Sequence, residues 1–216
     1  MEQKFVLRDQ IKQYLLLQIQ NGKLPVGKTI NLAALSRATG ISVTPIREAL
    51  SQLEHAQVLQ AVPNRGFVVA KLSKSEVKSL IEIVAQLEVM ALENAAFEAS
   101  EIAQLATLQT KMEEAGTIEK GLVARFNFHN YLVQNCSNKV LLQILKDLKL
   151  RLHFYEHDFI KDIDFFQKLT IQTRSVVEAI QEDNVPTAAL ILRMHWMSIL
   201  DHIKTQIIKN GSSSCL

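Results

Sequence analysis

Glycine and proline are scarce in this 216-residue chain, at seven and four residues, which excludes a collagenous or low-complexity protein. Its two cysteines, Cys136 and Cys215, are too few and too badly placed for a disulfide scaffold, so reduced thiols in a cytosolic protein are expected. The opening stretch MEQKFVLRDQ has no apolar core, which argues against a secretory signal. No apolar run approaches the roughly 18–20 residues that a membrane span requires. Even the stretch from Thr187 to Met197 is broken by Arg193 and His195. What is present is a 48% hydrophobic, 21% charged composition, which rules out disorder and suits one large domain or two ordinary ones. A soluble cytoplasmic protein, not associated with membrane, is expected.

The net charge of +2 hides an asymmetry. Residues 1–72 hold nine Lys/Arg against four Asp/Glu, an excess of +5, while the remainder holds 15 against 18, or −3. A small basic segment attached to a mildly acidic body is the distribution expected of a nucleic-acid reader joined to something else.

The text of the first 72 residues is punctuated. Leu7, Ile11, Leu15 and Ile19 recur at helical spacing until Asn21-Gly22, and residues 23–27 read as a loop. Asn31 caps a short helix carrying Leu32 and Leu35, ended by Thr39-Gly40. Ser42 or Thr44 caps a third helix with Pro45 in its first turn, where a missing N–H costs nothing, and with Ile46, Ala49, Leu50 and Leu53 along one face. Two apolar runs, 58–62 and 66–69, flank Pro63-Asn64-Arg65 and read as a β-hairpin. Two helices, a turn, a third helix and a hairpin make a winged helix-turn-helix.

From Ser73 onward the pattern changes. Ser73 with Glu76 forms a capping box at the head of a long helix whose apolar positions are 77, 80, 81, 84, 87 and 91. Further helical stretches are expected at about 101–115, 119–135, 138–157, 164–182 and 185–209, the last opened by Asn184 and Pro186. The fold class is therefore mainly α: a winged helix-turn-helix with a small hairpin over residues 1–72, and an antiparallel bundle of about six helices over residues 73–216.

The segment from Gly40 to Leu50 (GISVTPIREAL), with Asn64-Arg65-Gly66 and GKLPVG at 22–27, resembles the winged-helix domain of the GntR superfamily of bacterial transcription regulators. The helical half is similar to the ligand-sensing domain of its FadR subfamily. The physical reading of the same residues agrees. Ser42 and Thr44 place hydroxyls and free N–H groups at a helix N-terminus, which suits a phosphate. Arg47, one turn further on, can reach a guanine edge or a phosphate, and Arg65 with Gly66 sits at a hairpin tip that can approach the minor groove. The resemblance implies binding to a palindromic operator on double-stranded DNA as a homodimer, more often as a repressor. It also shows departures. Many members carry Arg where Val43 stands, and an acid and an Arg where Leu32 and Ala33 stand. More weight should therefore fall on Arg47, Arg65 and DNA shape.

In many FadR-type sensing domains an Asp and three His hold a divalent metal. Aligned by resemblance, His129 and His195 match two of these ligands, Arg125 replaces the Asp and Thr173 replaces the third His. Val84 replaces a recurring pocket Arg, while Glu82 and Glu88 fit the pattern. A cation at a ligand position opposes a metal, so no metal or other cofactor is expected. Arg125, His129, Thr173 and His195 are expected instead to line a pocket for a small organic effector, anionic or amphipathic. His153 with His157, and His202, are read as core-edge or surface residues, and Cys136 as a buried structural thiol. No glycine-rich phosphate loop, nucleophile elbow or carboxylate pair points to an enzyme. The alternative reading is a helical ligand- or metal-binding protein whose winged helix is an interaction module.

Overall fold

In a computed structural model, which describes residues 2–20, 24, 27–70 and 73–211, the chain divides into two compact units, Met1–Leu72 and Ser73–Leu216. The first contains α1 (Glu2–Gln20), α2 (Leu32–Thr39), α3 (Val43–His55), β1 (Leu59–Val62) and β2 (Gly66–Val69). The second contains α4 (Lys74–Glu93), α5 (Ala99–Glu113), α6 (Ile118–Leu132), α7 (Lys139–Phe159), α8 (Ile163–Gln181) and α9 (Val185–Gly211). The helix stop expected at Asn21-Gly22 lies outside the described residues, as does most of the 22–27 loop.

In the first unit, Ile11 and Leu15 of α1 join Leu35 of α2 and Ile46, Ala49, Leu50 and Leu53 of α3 in an apolar core. Burying a leucine or isoleucine side chain stabilises by about 1.5–3 kcal/mol, so these positions fix how α1, α2 and α3 pack. Both ends of α2 are bonded. Asn31 Oδ1 accepts from the Ala34 N–H at 2.9 Å, Gly40 adopts a left-handed φ of 69°, and the Ser36 hydroxyl donates to Ile41 O at 2.7 Å. Ser42 occupies the N-cap position of α3 in an extended conformation, without a side-chain capping bond.

The hairpin pairs Leu59 with Val69 and Val62 with Gly66 across a Pro63-Asn64-Arg65 loop. Asn64 and Gly66 take positive φ, 62° and 77°, a conformation that asparagine tolerates and glycine adopts without steric cost. The other edge of β2 is bonded too. Ile30 N–H donates to Phe67 O at 2.8 Å and Val69 N–H to Lys28 O at 3.1 Å, so residues 28–30 run beside β2 where the sequence shows no strand pattern.

The six helices of the second unit close into a ring. Helix α4 packs on α7 and α9, α7 on α6, α6 on α5, α5 on α8, and α8 on α9. Side-chain caps define most of the starts: the Ser73–Glu76 box for α4, Thr117 for α6, Asn138 for α7 and Asp162 for α8. Helix α5 begins at Ala99 rather than near 101 because Glu98 and Glu101 form a second capping box. Where α6 meets α8, Gly121 lies against the Phe166 ring so closely that an added Cβ would sit 2.3 Å from it.

Candidate DNA-reading surface and buried polar centre

Helix α3 has two faces with opposite chemistry. Pro45, Ile46, Ala49, Leu50 and Leu53 are buried, while Val43, Thr44, Arg47 and Ser51 are exposed along the other side at helical spacing. The exposed stripe follows from the core: once the apolar residues are packed, 43, 44, 47 and 51 must point outward. Ser42, Arg65 and Gly66 are also exposed, and Arg65 Nη2 lies 3.5 Å from Thr29 Oγ1. Free N–H groups at the start of α3, one guanidinium a turn along and another on the hairpin can together bind phosphates and a base edge. Ser51 extends this stripe and was not singled out by the motif, although its i+4 spacing from Arg47 predicts it.

The closed ring of helices encloses charge. Glu88 of α4, Arg125 and His129 of α6, Lys149, His153 and Glu156 of α7, and His195 of α9 are all buried. Burial is costly for charges unless they are paired, and here they are. Arg125 Nη1 is bonded to Glu156, and Arg125 Nη2 lies 3.2 Å from His195 Nε2. Glu88 gathers three partners: His129 Nδ1 at 2.8 Å, Lys149 Nζ at 2.7 Å and the Trp196 indole N–H at 2.7 Å. Lys149 also donates to His129 O at 2.6 Å, and the Arg125 guanidinium lies 4.9 Å from the centre of the Trp196 ring.

Protonation follows from these neighbours. Burial pushes the Glu88 carboxyl up, but the hydrogen bond from His129 and the Lys149 ammonium outweigh it and hold the group well below the usual carboxylate range. Glu156 is likewise raised by burial and held low by Arg125. Burial depresses His129 and His195, and the Arg125 charge adds to this. Both imidazoles are therefore neutral near pH 7. His129 then donates from Nδ1 to Glu88 and keeps an acceptor at Nε2, while His195 accepts from Arg125 at Nε2 and keeps a donor at Nδ1. Those two atoms and Arg125 Nε have no hydrogen-bond partner among the described residues.

Of the pocket residues expected from sequence, Arg125, His129 and His195 meet, with the two imidazole centroids 5.2 Å apart. Thr173 is buried too, but its hydroxyl donates to Thr170 O within α8 at 2.8 Å. Arg125 is not a free cation awaiting an anion, because Glu156 neutralises it. Lys149 and Glu156 were missed, although they fall in helical phase with the buried Leu141, Leu145 and Leu152, a phase that places both charges indoors. His153 is a correction to the surface or core-edge reading: it is 4% exposed, stacks on Phe126 at 4.4 Å and lies 3.7 Å from Glu156. The side chain of His157 lies outside the described residues. Cys136 is buried.

A divalent metal does not fit this centre. Two cations, Arg125 and Lys149, share the centre with the imidazoles, and each carboxylate is already paired with one of them. No group of three or more His, Cys, Asp or Glu among the described residues is placed to hold a metal. Nor is any described helix long and apolar enough to cross a membrane.

Residues 7–69 match the gntR family of bacterial regulatory proteins, and residues 79–198, more than half of the chain, match the FCD domain. The chain is 27% identical over 204 residues to YdhC, an HTH-type transcriptional regulator of Bacillus subtilis, covering 91% of this chain and 90% of that one. It is 25% identical over 206 residues to the HTH-type transcriptional repressor GlaR of Escherichia coli, with 89% and 93% covered. The solved structure of E. coli McbR/YncC superposes with a TM-score of 0.79 at 22% identity, covering 93% of this chain and 98% of that one, and so shares the fold.

Proposed function

The chain belongs to the gntR family of bacterial regulatory proteins and carries an FCD domain, which makes it a transcription regulator, and on that premise we propose a cytoplasmic, effector-controlled repressor without catalytic activity. It binds a palindromic operator in double-stranded DNA as a homodimer. One winged helix makes too few base contacts for a specific site, and two-fold pairing doubles them. Ser42, Thr44, Arg47, Arg65 and Gly66 are the proposed DNA contacts. The observation that carries this reading is the split of α3 into a buried apolar face and an exposed face bearing Thr44 and Arg47, in a unit with five excess positive charges. GlaR, similar along most of its length, is described as a repressor, which favours that sign of control.

The effector is a small organic molecule held inside the helical unit by Arg125, His129, Thr173 and His195. Supporting this are the unpartnered nitrogens of Arg125, His129 and His195, two donors and one acceptor within a centre whose charges are already balanced. Binding changes regulation only by favouring one dimer geometry over another, so that the two α3 helices match or miss the half-site spacing. Ligand-induced melting shifts that persist undiminished in His195→Gln argue against this lining.

The decisive test is selection of bound fragments from the source genome at several salt concentrations, with Arg47→Ala as control. A few enriched palindromic sites, each losing about 1–3 kcal/mol of binding in the variant, are expected. Weak binding to all fragments, unchanged by Arg47→Ala and abolished by moderate salt, overturns the reading and favours the ligand-binding alternative.

A further inference from the structure

Among the described residues of the first unit, the exposed large hydrophobic side chains are Leu17 and Val43. Val43 is 38% exposed and is the first residue of α3. The buried face of α3 starts at Pro45, and Val43 is not part of it. A β-branched side chain is also a weaker helix former than Ala or a straight-chain residue. Yet Val43 shares its exposed stripe with Thr44, Arg47 and Ser51.

We propose that Val43 is a specificity-determining residue that reads the C5-methyl group of a thymine in the major groove. The inference rests on the DNA-reading function proposed above. A valine side chain can neither donate to a phosphate nor accept from a base. The feature of the major-groove edge that an apolar side chain recognises is the thymine methyl. Position also limits which thymine it is. Residues four apart on a helix have Cβ atoms about 5–6 Å apart, and successive bases on one strand rise by about 3.4 Å. The thymine therefore lies one or two base pairs from the base read by Arg47, on the side toward the N-terminus of α3. In this stripe Arg47 supplies the polar readout and Val43 the apolar one, so the half-site couples a guanine to a nearby thymine.

The test starts from a random duplex library selected with the full-length protein. A fixed thymine is expected one or two base pairs from the position whose preference is lost in Arg47→Ala. Replacing that one thymine by deoxyuridine removes the methyl and keeps the pairing. Losing one buried methyl predicts about fourfold weaker binding per half-site. Val43→Ala should bind the thymine operator with the same loss and be indifferent to deoxyuridine, whereas Val43→Thr, which keeps a γ-methyl, should retain most of the discrimination. Val43 is 38% exposed, so the melting curve of each variant is recorded alongside and binding is compared where all of them are folded. An enriched site without that thymine, or equal binding to thymine and deoxyuridine operators, overturns the role of Val43 and leaves DNA reading intact. No enriched site at all overturns both.

Discussion

The two units of this chain put their charges in opposite places. In the first, every buried residue among those described is apolar, and Lys28, Arg37, Arg47 and Arg65 face outward or lie near the surface. In the second, Glu88, Arg125, Lys149 and Glu156 are sealed inside a ring of helices whose outer surface exposes Ile83, Met90, Leu190 and Met194. A surface charge costs little to keep and becomes useful when a polyanion arrives, since it releases counterions from the phosphates. An interior charge is costly unless it is paired, so the second unit supplies an opposite charge for each cation, Glu156 for Arg125 and Glu88 for Lys149. One unit is thus arranged to meet charge outside the molecule. The other keeps its charges paired with one another in its interior.

The sharpest way to break that contrast is to remove one interior partner. Glu88→Ala leaves Lys149, His129 and the Trp196 N–H without their shared acceptor, and should destabilise the helical unit by about 3–5 kcal/mol in chemical denaturation. Trp196 is the sole tryptophan and donates to Glu88, so its fluorescence reports this unfolding directly. Gly121→Ala tests packing in the same unit without touching charge. The new methyl would meet the Phe166 ring, and a loss of about 1–3 kcal/mol is expected in the same experiment.

Acid should distinguish the units more gently. His129 and His195 are depressed below 6.5 in the folded state, so unfolding takes up protons once the pH falls below that value. Stability of the helical unit is then full above about pH 6.5 and declines on acidification. Glu88 and Glu156, also depressed, add a further decline below about pH 4.5. All four shifts have the same sign, and melting temperature followed from pH 8 to pH 4 checks it. The smallest effect belongs to the outer surface. Arg65→Ala should leave the melting temperature unchanged while reducing the salt dependence of operator binding by about one counterion per half-site.

Much of the fold was legible. The α3 core spacing, the Ser73–Glu76 box, the Thr39-Gly40 stop and the Pro63-Asn64-Arg65 loop are local signals, and each is found where the residues place it. The strand-like pairing of residues 28–30 was not legible, because it is imposed by β2 from outside and leaves no alternation in the segment itself. Of the exposed surface of α3, the motif pointed to Thr44 and Arg47, while Ser51 needed the helix to be phased against its core. In the second unit His129, Arg125 and His195 were found by resemblance. Their partners Glu156 and Lys149 were not, since a Glu and a Lys on an amphipathic helix are ordinarily solvated.

By itself, then, the sequence determined most of the elements, the Asn31 and Ser73 caps and which face of α3 must be buried, because those follow from propensities and spacings a few residues long. Only the tertiary structure decided that Arg125 answers to Glu156 and Lys149 to Glu88. Those pairs lie 31 and 61 residues apart, and they form because closing the helical ring removes water from both partners at once. Whether a lone arginine is an anion trap or half of an internal ion pair depends on that closure, and no local pattern encodes it.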